Sequence, residues 1–178
     1  MEEMVKLGPN QVYGRIWSEK GKSKIVQILI SYEEHAIKSI QFIYVLNGNL
    51  CHSELYGERH ISSFSTVTFD YPSEFLTSVS VEYYCPNSMY PDKDLKLLTI
   101  AFGTNKRDFG PFGKKPDRHT KGFPVFTPVQ RPRKFRYEFE HKSCFGGFHG
   151  TVLNGYVHSV GVYIKPVKSL SELKTEEG

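Results

Sequence analysis

The C-terminal part of the chain contains a strand pattern that occurs twice more upstream. Residues 157–164 (VHSVGVYI) are matched by residues 37–44 (IKSIQFIY) and by residues 76–83 (LTSVSVEY). Each copy alternates apolar and polar side chains around a serine at its third position, as a half-buried β-strand does. Three copies of one strand predict three related sheets of about four antiparallel strands each. The glycine-rich segment before the last copy, residues 145–156, is expected to be a surface loop, where binding chemistry is usually found.

The composition agrees with an all-β protein. The 178 residues include 14% aromatic side chains, 15 Gly and 10 Pro. Aromatic and β-branched residues suit half-buried pleated surfaces, while Gly and Pro end many short strands. Asn47-Gly48 predicts a tight hairpin turn, because both residues tolerate positive φ. The length favours one domain with a substantial core, and no amphipathic helical segment of useful length is present.

Signals for catalysis, for metal binding and for export are missing from the sequence. The three cysteines, Cys51, Cys85 and Cys144, give neither a disulfide framework nor paired zinc spacing, and the seven histidines are scattered. Phosphate-loop and nucleophile-elbow sequences are absent. We therefore expect a non-enzymatic protein without cofactor or metal. The acidic N-terminus lacks a secretory h-region and no segment is apolar enough to span a bilayer, so a cytoplasmic location without a membrane partner is expected.

Two basic clusters raise the question of a polyanion partner. They lie within residues 114–121 and 131–136, and the net charge of the whole chain is a mild +4. Solvated loop charge is the favoured interpretation, with nucleic-acid or anionic-lipid binding as the alternative. No nucleic-acid partner is predicted.

The glycine-rich segment and the last strand together resemble a known family. Residues 146–150 (GGFHG) followed by residues 159–164 (SVGVYI) are similar to the C-terminal signature of jacalin-related plant lectins. Further similar motifs follow in order along the chain: residues 5–9 (VKLGP), 37–44, 72–75 (PSEF), 102–105 (FGTN) and 109–113 (FGPFG). The resemblance covers residues 4–166, and residues 167–178 are expected to form a disordered tail.

This resemblance implies a fold, an activity and a site. The fold is a β-prism of three four-stranded antiparallel Greek-key sheets with pseudo-threefold symmetry. The activity is non-catalytic carbohydrate binding of the mannose type without metal, and a homo-oligomer would strengthen it through avidity. In the family, a glycine-rich N-terminal turn and a C-terminal Gly-x-x-x-Asp loop form the sugar site. Its carboxylate accepts hydrogen bonds from the sugar hydroxyls.

The present sequence departs from that pattern at both places. His158 stands where the aspartate belongs, Asn154 stands where the glycine belongs, and Gly14 is the one glycine of the N-terminal turn. A neutral imidazole offers one donor and one acceptor, fewer contacts than a carboxylate. The loops 10–14, 86–94 and 151–158 are expected to build the site. Its candidate carbohydrate-binding residues are Gly14, Asn87, Asn154, Gly155, Tyr156, Val157 and His158.

Two hypotheses of function follow. The first is a mannose-type jacalin-related lectin in plant defence or stress response. The second is a degenerate lectin that serves as a protein–protein interaction module, for example in antiviral resistance, because a defence-related subset of the family has a similar loop without the aspartate. For His158 both a ligand role and a structural role stay open, whereas His149 is expected to be structural. Glycines 146, 147 and 150 are expected to serve backbone geometry, in a bulge or a tight turn.

Overall fold

The computed structural model describes residues 3–9, 12–34, 36–59, 63–84, 96–113 and 133–167. These residues form thirteen strands and one short 3₁₀ helix, Lys142–Cys144. The strands are β1 (Val5–Leu7), β2 (Arg15–Ser18), β3 (Ile25–Glu33), β4 (Ala36–Leu46), β5 (Asn49–His52), β6 (Tyr56–Gly57), β7 (Phe64–Thr68), β8 (Leu76–Tyr84), β9 (Lys96–Thr104), β10 (Asp108–Phe112), β11 (Arg133–Glu138), β12 (Phe145–Leu153) and β13 (Tyr156–Ile164).

Three antiparallel sheets make up the molecule, which confirms the predicted β-prism. Their strand orders are β1-β13-β12-β2, β5-β4-β3-β7 and β10-β9-β8-β11. Each sheet has a central hairpin flanked by two further strands, in a Greek-key arrangement. The second sheet has five strands where four were predicted. Both β5 and the two-residue strand β6 pair with the outer side of β4.

The internal repeat has a period of 60 residues, which corrects the predicted alignment. Connectivity makes β4, β9 and β13 equivalent, since each is the second strand of its central hairpin. The predicted second copy, residues 76–83, instead forms β8, the first strand of a hairpin. Alternation with period two is shared by every half-buried strand, so the short pattern could not tell these positions apart. The equivalent residues are Ile37, Leu97 and Val157; Ser39, Thr99 and Ser159; Ile40, Ile100 and Val160; and Phe42, Phe102 and Val162.

Aromatic rings join the three sheets along the axis of the prism. Phe42 of the second sheet stacks on Phe148 of the first, with ring centroids 4.6 Å apart, and Phe102 of the third meets Phe148 edge-on at 6.2 Å. All three rings are buried. The Tyr83 hydroxyl accepts a hydrogen bond from the Val160 amide at 3.0 Å and donates one to the Val160 carbonyl at 3.2 Å. The core is therefore shared by all three sheets, and each hairpin is fixed relative to the others.

The glycine-rich segment is a buried strand, which corrects the predicted surface loop. Residues from Phe145 to Thr151 are all buried within β12. Gly150 lies under the Trp17 ring, where a Cβ would come within 2.6 Å of the indole, and the ladder shifts register at Gly146. The glycines thus serve close packing and a bulge, as one of the sequence interpretations held. His149 is also buried, and its Nε2 lies 2.8 Å from the Leu7 carbonyl oxygen, in keeping with a structural role.

A β-bulge interrupts each of the three central hairpins at an equivalent position, near the end where the hairpin turns. The ladder pairs Ser39 with Ser31 but Ile37 with Tyr32, so Lys38 is an extra residue in a β-bulge. Equivalent bulges occur at Leu98 in β9 and at His158 in β13. A bulge leaves one residue without a ladder partner and changes the direction of its side chain. Position 158 therefore has two counterparts elsewhere in the chain, at 38 and 98.

Several predicted features lie outside the described residues. These are Asn87 with the 86–94 loop, the basic residues 114–132 and the tail from residue 168 onward. Where the second basic cluster is described, it contains ion pairs: the Lys134 ammonium lies 3.7 Å from a Glu82 carboxylate oxygen, and Arg136 Nε lies 2.7 Å from one of Glu138.

Candidate functional site

The β12–β13 hairpin ends in a two-residue turn at the end of the prism where the family's sugar loop was expected. Asn154 and Gly155 both have positive φ, 54° and 78°, and Leu153 pairs directly with Tyr156. These values match a type I′ turn, the geometry that Asn-Gly favours between antiparallel strands. The Asn47–Gly48 turn has nearly the same angles, 51° and 78°, which confirms its prediction. The expected loop 151–158 is thus two strands and a tight turn.

His158 faces inward rather than into an open site. Its side chain is 4% exposed, and its Nε2 has no hydrogen-bond partner within the described part of the chain. The Tyr13 ring packs edge-on against it, with centroids 6.4 Å apart. Burial lowers the pKa of His158, so the neutral imidazole is favoured. Position 158, which the family pattern assigns to an aspartate, therefore supplies no carboxylate.

Two other predicted residues have clear structural roles. Val157 is 1% exposed and belongs to the core, so its side chain is not available to a ligand. Gly14, at φ 96°, packs directly against the Val152 carbonyl oxygen, and any Cβ there would overlap that atom. Gly14 therefore holds the N-terminal segment against β12. Of the seven predicted residues, the structure brings Asn154, Gly155 and Tyr156 together at the tip of the hairpin.

A carboxylate does reach this tip, from a different segment. Glu58 follows β6, and its carboxylate carbon would lie 2.7 Å from a Cβ on Gly155. The Glu58 amide donates a hydrogen bond to the Gly155 carbonyl at 2.9 Å, which ties the two turns together. The Glu58 side chain is 74% exposed, so its oxygens are accessible to a ligand. An exposed acceptor thus stands beside the turn, although position 158 holds none.

Tyr156 and Lys38 complete the polar cluster. The Tyr156 hydroxyl donates to a Glu33 carboxylate oxygen at 2.5 Å, and the Lys38 ammonium lies 4.0 Å from the Tyr156 ring centroid. The same ammonium lies 3.7 Å from a Glu58 oxygen. The hydrogen bond to Glu33, followed by desolvation, raises the pKa of Tyr156. We call Glu33, Lys38, Glu58 and residues 154–156 the hairpin-tip cluster. It contains donors, acceptors and an aromatic ring, the groups that bind hydroxylated ligands.

The sequence analysis missed Glu33, Lys38 and Glu58, which come from the second sheet. Lys38 could have been found from the 60-residue period, because it is the counterpart of His158. Glu58 carries no comparable signal, since it is one exposed glutamate in a polar turn. The described residues include no group of three His, Cys, Asp or Glu placed to hold a metal ion. In the same part of the chain, no helix is long and apolar enough to cross a membrane.

Comparison with known proteins agrees with the fold and decides the family. The family model for the jacalin-like lectin domain matches residues 7–163. The chain belongs to the jacalin-like lectin family. This match spans all thirteen strands except the first two residues of β1 and the last residue of β13. The resemblance inferred from the C-terminal motifs is thereby confirmed.

Individual relatives cover most of the chain. It is 30% identical over 160 residues to Protein RESTRICTED TEV MOVEMENT 1 of Arabidopsis thaliana, covering 89% of this chain and 82% of the relative. It is 27% identical over 186 residues to Jacalin-related lectin 2 of the same plant, covering 99% and 96%. Among solved structures, a mannose-binding lectin from Champedak superposes with a TM-score of 0.71 at 23% identity, covering 93% of this chain and 99% of that one. That last likeness supports the β-prism fold.

Proposed function

We propose that this protein is a non-catalytic, mannose-type carbohydrate-binding lectin whose site is the hairpin-tip cluster. The observation that carries the proposal is the exposed Glu58 carboxylate against the Gly155 turn. In this assignment Glu58 supplies the acceptor that His158 does not supply. The aspartate of the family pattern and Glu58 differ in sequence position but offer sugar hydroxyls the same chemistry.

The cluster offers complementary partners to a pair of adjacent hydroxyls. Each hydroxyl can donate to a Glu58 oxygen, while the exposed Asn154 amide can donate in return. The backbone amides of Asn154 and Gly155 lie outside the β12–β13 ladder, because Leu153 pairs with Tyr156. Lys38 keeps Glu58 near the turn through their ion pair. Binding at one such site should be weak, since a sugar exchanges water hydrogen bonds for protein ones at small net gain.

Calorimetric titration with methyl α-mannoside tests the proposal. We expect saturable binding with a Kd of roughly 1 mM for the full chain. Glu58→Gln should weaken it by about tenfold or more, because a hydrogen bond to a charged acceptor is replaced by one to a neutral amide. Glu138→Gln is the matched control: that side chain is also exposed and paired with a cation, but it lies on β11 of the third sheet.

Comparing the unaltered chain with Glu58→Gln and Glu138→Gln tests the lectin function and the location of its site separately. If the unaltered chain binds neither methyl α-mannoside nor any sugar of a glycan array, the lectin function is excluded. If it binds and both variants behave alike, the function stands and Glu58 is not the acceptor.

A protein–protein interaction module is the second candidate function. The observation that favours it is a run of exposed apolar side chains leading into the edge strand β2: Val12, Tyr13 and Ile16 are 38%, 41% and 68% exposed. Such side chains on an edge strand suit a protein partner more than a sugar. This hypothesis predicts a blank glycan array and a partner that is retained by the unaltered chain but lost with Ile16→Asp. A partner that both forms retain equally would exclude this surface.

The remaining expectations belong to the same proposal. We place the lectin domain at residues 4–166, and we propose a cytoplasmic protein of plant defence or stress response that gains avidity as a homo-oligomer. The similarity to a relative named for restricted movement of TEV supports the defence role. Fluorescent tagging and light scattering of the full chain test the location and the oligomeric state.

A further inference from the structure

A cavity of about 330 Å³ opens at the end of the prism opposite the hairpin tip. Its floor contains Ile25, Leu76 and Phe145, which are the first residues of β3, β8 and β12. These three strands are equivalent in the three sheets, so the cavity lies where the pseudo-threefold axis leaves the core. All three side chains are at least 96% buried. The floor is therefore apolar and is built by all three sheets.

The rim of this axial cavity is cationic. Lys24, Lys142 and Lys165 all line it, and Lys24 and Lys142 are exposed at its mouth. Within the described ranges, no carboxylate lies at ion-pair distance from either of these two ammonium groups. The Lys142 ammonium lies 5.4 Å from the ring centroid of Phe75, which forms part of the wall. Two cations thus stand at the opening, and among the described residues neither is paired with a carboxylate.

One carboxylate, that of Glu74, is among the groups that line the cavity. It accepts hydrogen bonds from Arg107 Nε at 3.0 Å, from Arg107 Nη2 at 2.9 Å and from Thr104 Oγ1 at 2.7 Å. The hydrogen bonds from Arg107 are the main cause that lowers the pKa of Glu74 to about 2. Because Arg107 compensates this charge, Glu74 does not neutralise the lysines at the rim.

We propose that the axial cavity binds a small anion with a flat apolar body, such as a ring that carries a carboxylate, sulfonate or phosphate. The ring would lie above the closed floor, against the half-buried Phe75 and the exposed Tyr71 of the wall. The anionic group would meet Lys24 and Lys142 at the mouth. A volume of 330 Å³ falls at the small end of the range for ligand pockets in proteins. An apolar floor with charged groups at the rim is an arrangement found in such sites. This cavity is separate from the sugar site and does not depend on it.

Calorimetric titration of the full chain with naphthalenesulfonate tests the proposal, with neutral naphthalenemethanol as the paired probe. We expect one saturable site for the sulfonate and binding weaker by about tenfold or more for the alcohol. The double variant Lys24→Ala/Lys142→Ala should lose about tenfold or more in affinity for the sulfonate. A control double variant, Lys96→Ala/Lys134→Ala, removes the same charge elsewhere and should stay within about twofold. Amide-resolved NMR spectra should show the largest shifts at Ile25, Leu76 and Phe145.

Three outcomes would overturn the proposal: no saturable binding of the sulfonate, equal binding of the neutral alcohol, or equal weakening in both double variants. The last outcome would mean that the net charge of the protein, and not the cavity, attracts the probe. Ser143→Trp fills the mouth from an exposed position of the 3₁₀ helix, so it should abolish binding without affecting the fold. Undiminished binding by that variant would place the probe elsewhere and is a fourth outcome that would overturn the proposal.

Discussion

Lys38 and His158 occupy equivalent bulges, yet their side chains have opposite environments. Lys38 reaches the Tyr156 ring and the exposed Glu58 carboxylate, so its ammonium group lies in a polar cluster. His158 is buried beside Tyr13 without a hydrogen bond to its Nε2. The third bulge holds Leu98, which is fully buried. The same kind of bulge therefore presents a side chain to a polar surface in the second sheet and a buried side chain in the other two.

This comparison shows how the chain keeps the family fold although position 158 holds a histidine in place of the family's aspartate. Position 158 is compatible with an apolar side chain, as Leu98 shows at its counterpart. The charged groups at the hairpin tip come instead from β3, β4 and the turn after β6. In the proposed site, Glu58 has the same chemistry as the family's aspartate but comes from a different sequence position.

The largest effect is expected when the family's carboxylate is restored at the buried bulge. His158→Asp places an acid under Tyr13, where desolvation disfavours its charged form. We expect a loss of about 3 kcal/mol in the free energy of unfolding at neutral pH. Guanidinium denaturation measures it, with His158→Leu as the control that should remain close to the unaltered chain. A fully stable Asp variant with tighter mannose binding would show that position 158 faces an open site.

A smaller effect on stability and on mannose affinity is expected at the Lys38 bulge. Lys38→Leu removes the cation from the Tyr156 ring and the ion pair with Glu58, while Leu98 shows that leucine fits such a bulge. We expect a loss of about 1 kcal/mol in stability and several-fold weaker mannose binding, because Glu58 is no longer held at the turn. Parallel denaturation and calorimetry check both effects. Unchanged affinity would separate Lys38 from the site.

The smallest effect is the pH dependence of folding stability that His158 causes. Burial lowers the pKa of His158 in the folded state below the unfolded value of about 6.5. The unfolded state then binds more protons, so stability is fully present above about pH 6.5 and falls as the pH drops toward the folded pKa. Denaturation between about pH 7.5 and 5.5 should show this loss, and His158→Leu should reduce it by up to about 1 kcal/mol. Identical pH profiles for the two forms would mean that His158 is solvated.

Much of the fold could be predicted from the sequence because it rests on local patterns. Alternation and turn residues gave the three sheets and the Asn47–Gly48 hairpin. An Asn-Gly pair also occurs at 154–155, where the sequence analysis expects a family loop, and the turn there has nearly the same φ values. Local turn chemistry was the more reliable guide, because two residues that favour positive φ close a hairpin wherever flanking strands can pair.

The proposed site could be predicted only where its residues are close together in the sequence. Asn154, Gly155 and Tyr156 lie in one segment, so the hairpin indicates all three. Glu58 lies about a hundred residues earlier and reaches Gly155 only because the first two sheets pack side by side. The burial of His158 likewise depends on Tyr13, a contact between distant segments. Contacts of that kind follow from tertiary packing, which a strand pattern does not encode.

The most direct test of the central claim is an amide-resolved NMR titration of the full chain with methyl α-mannoside. Binding at the hairpin-tip cluster predicts progressive, saturable shifts for the amides of Asn154, Gly155 and Glu58, with little change at His158. The largest shifts around His158 and Gly14 would contradict it, as would spectra that do not change at any sugar concentration.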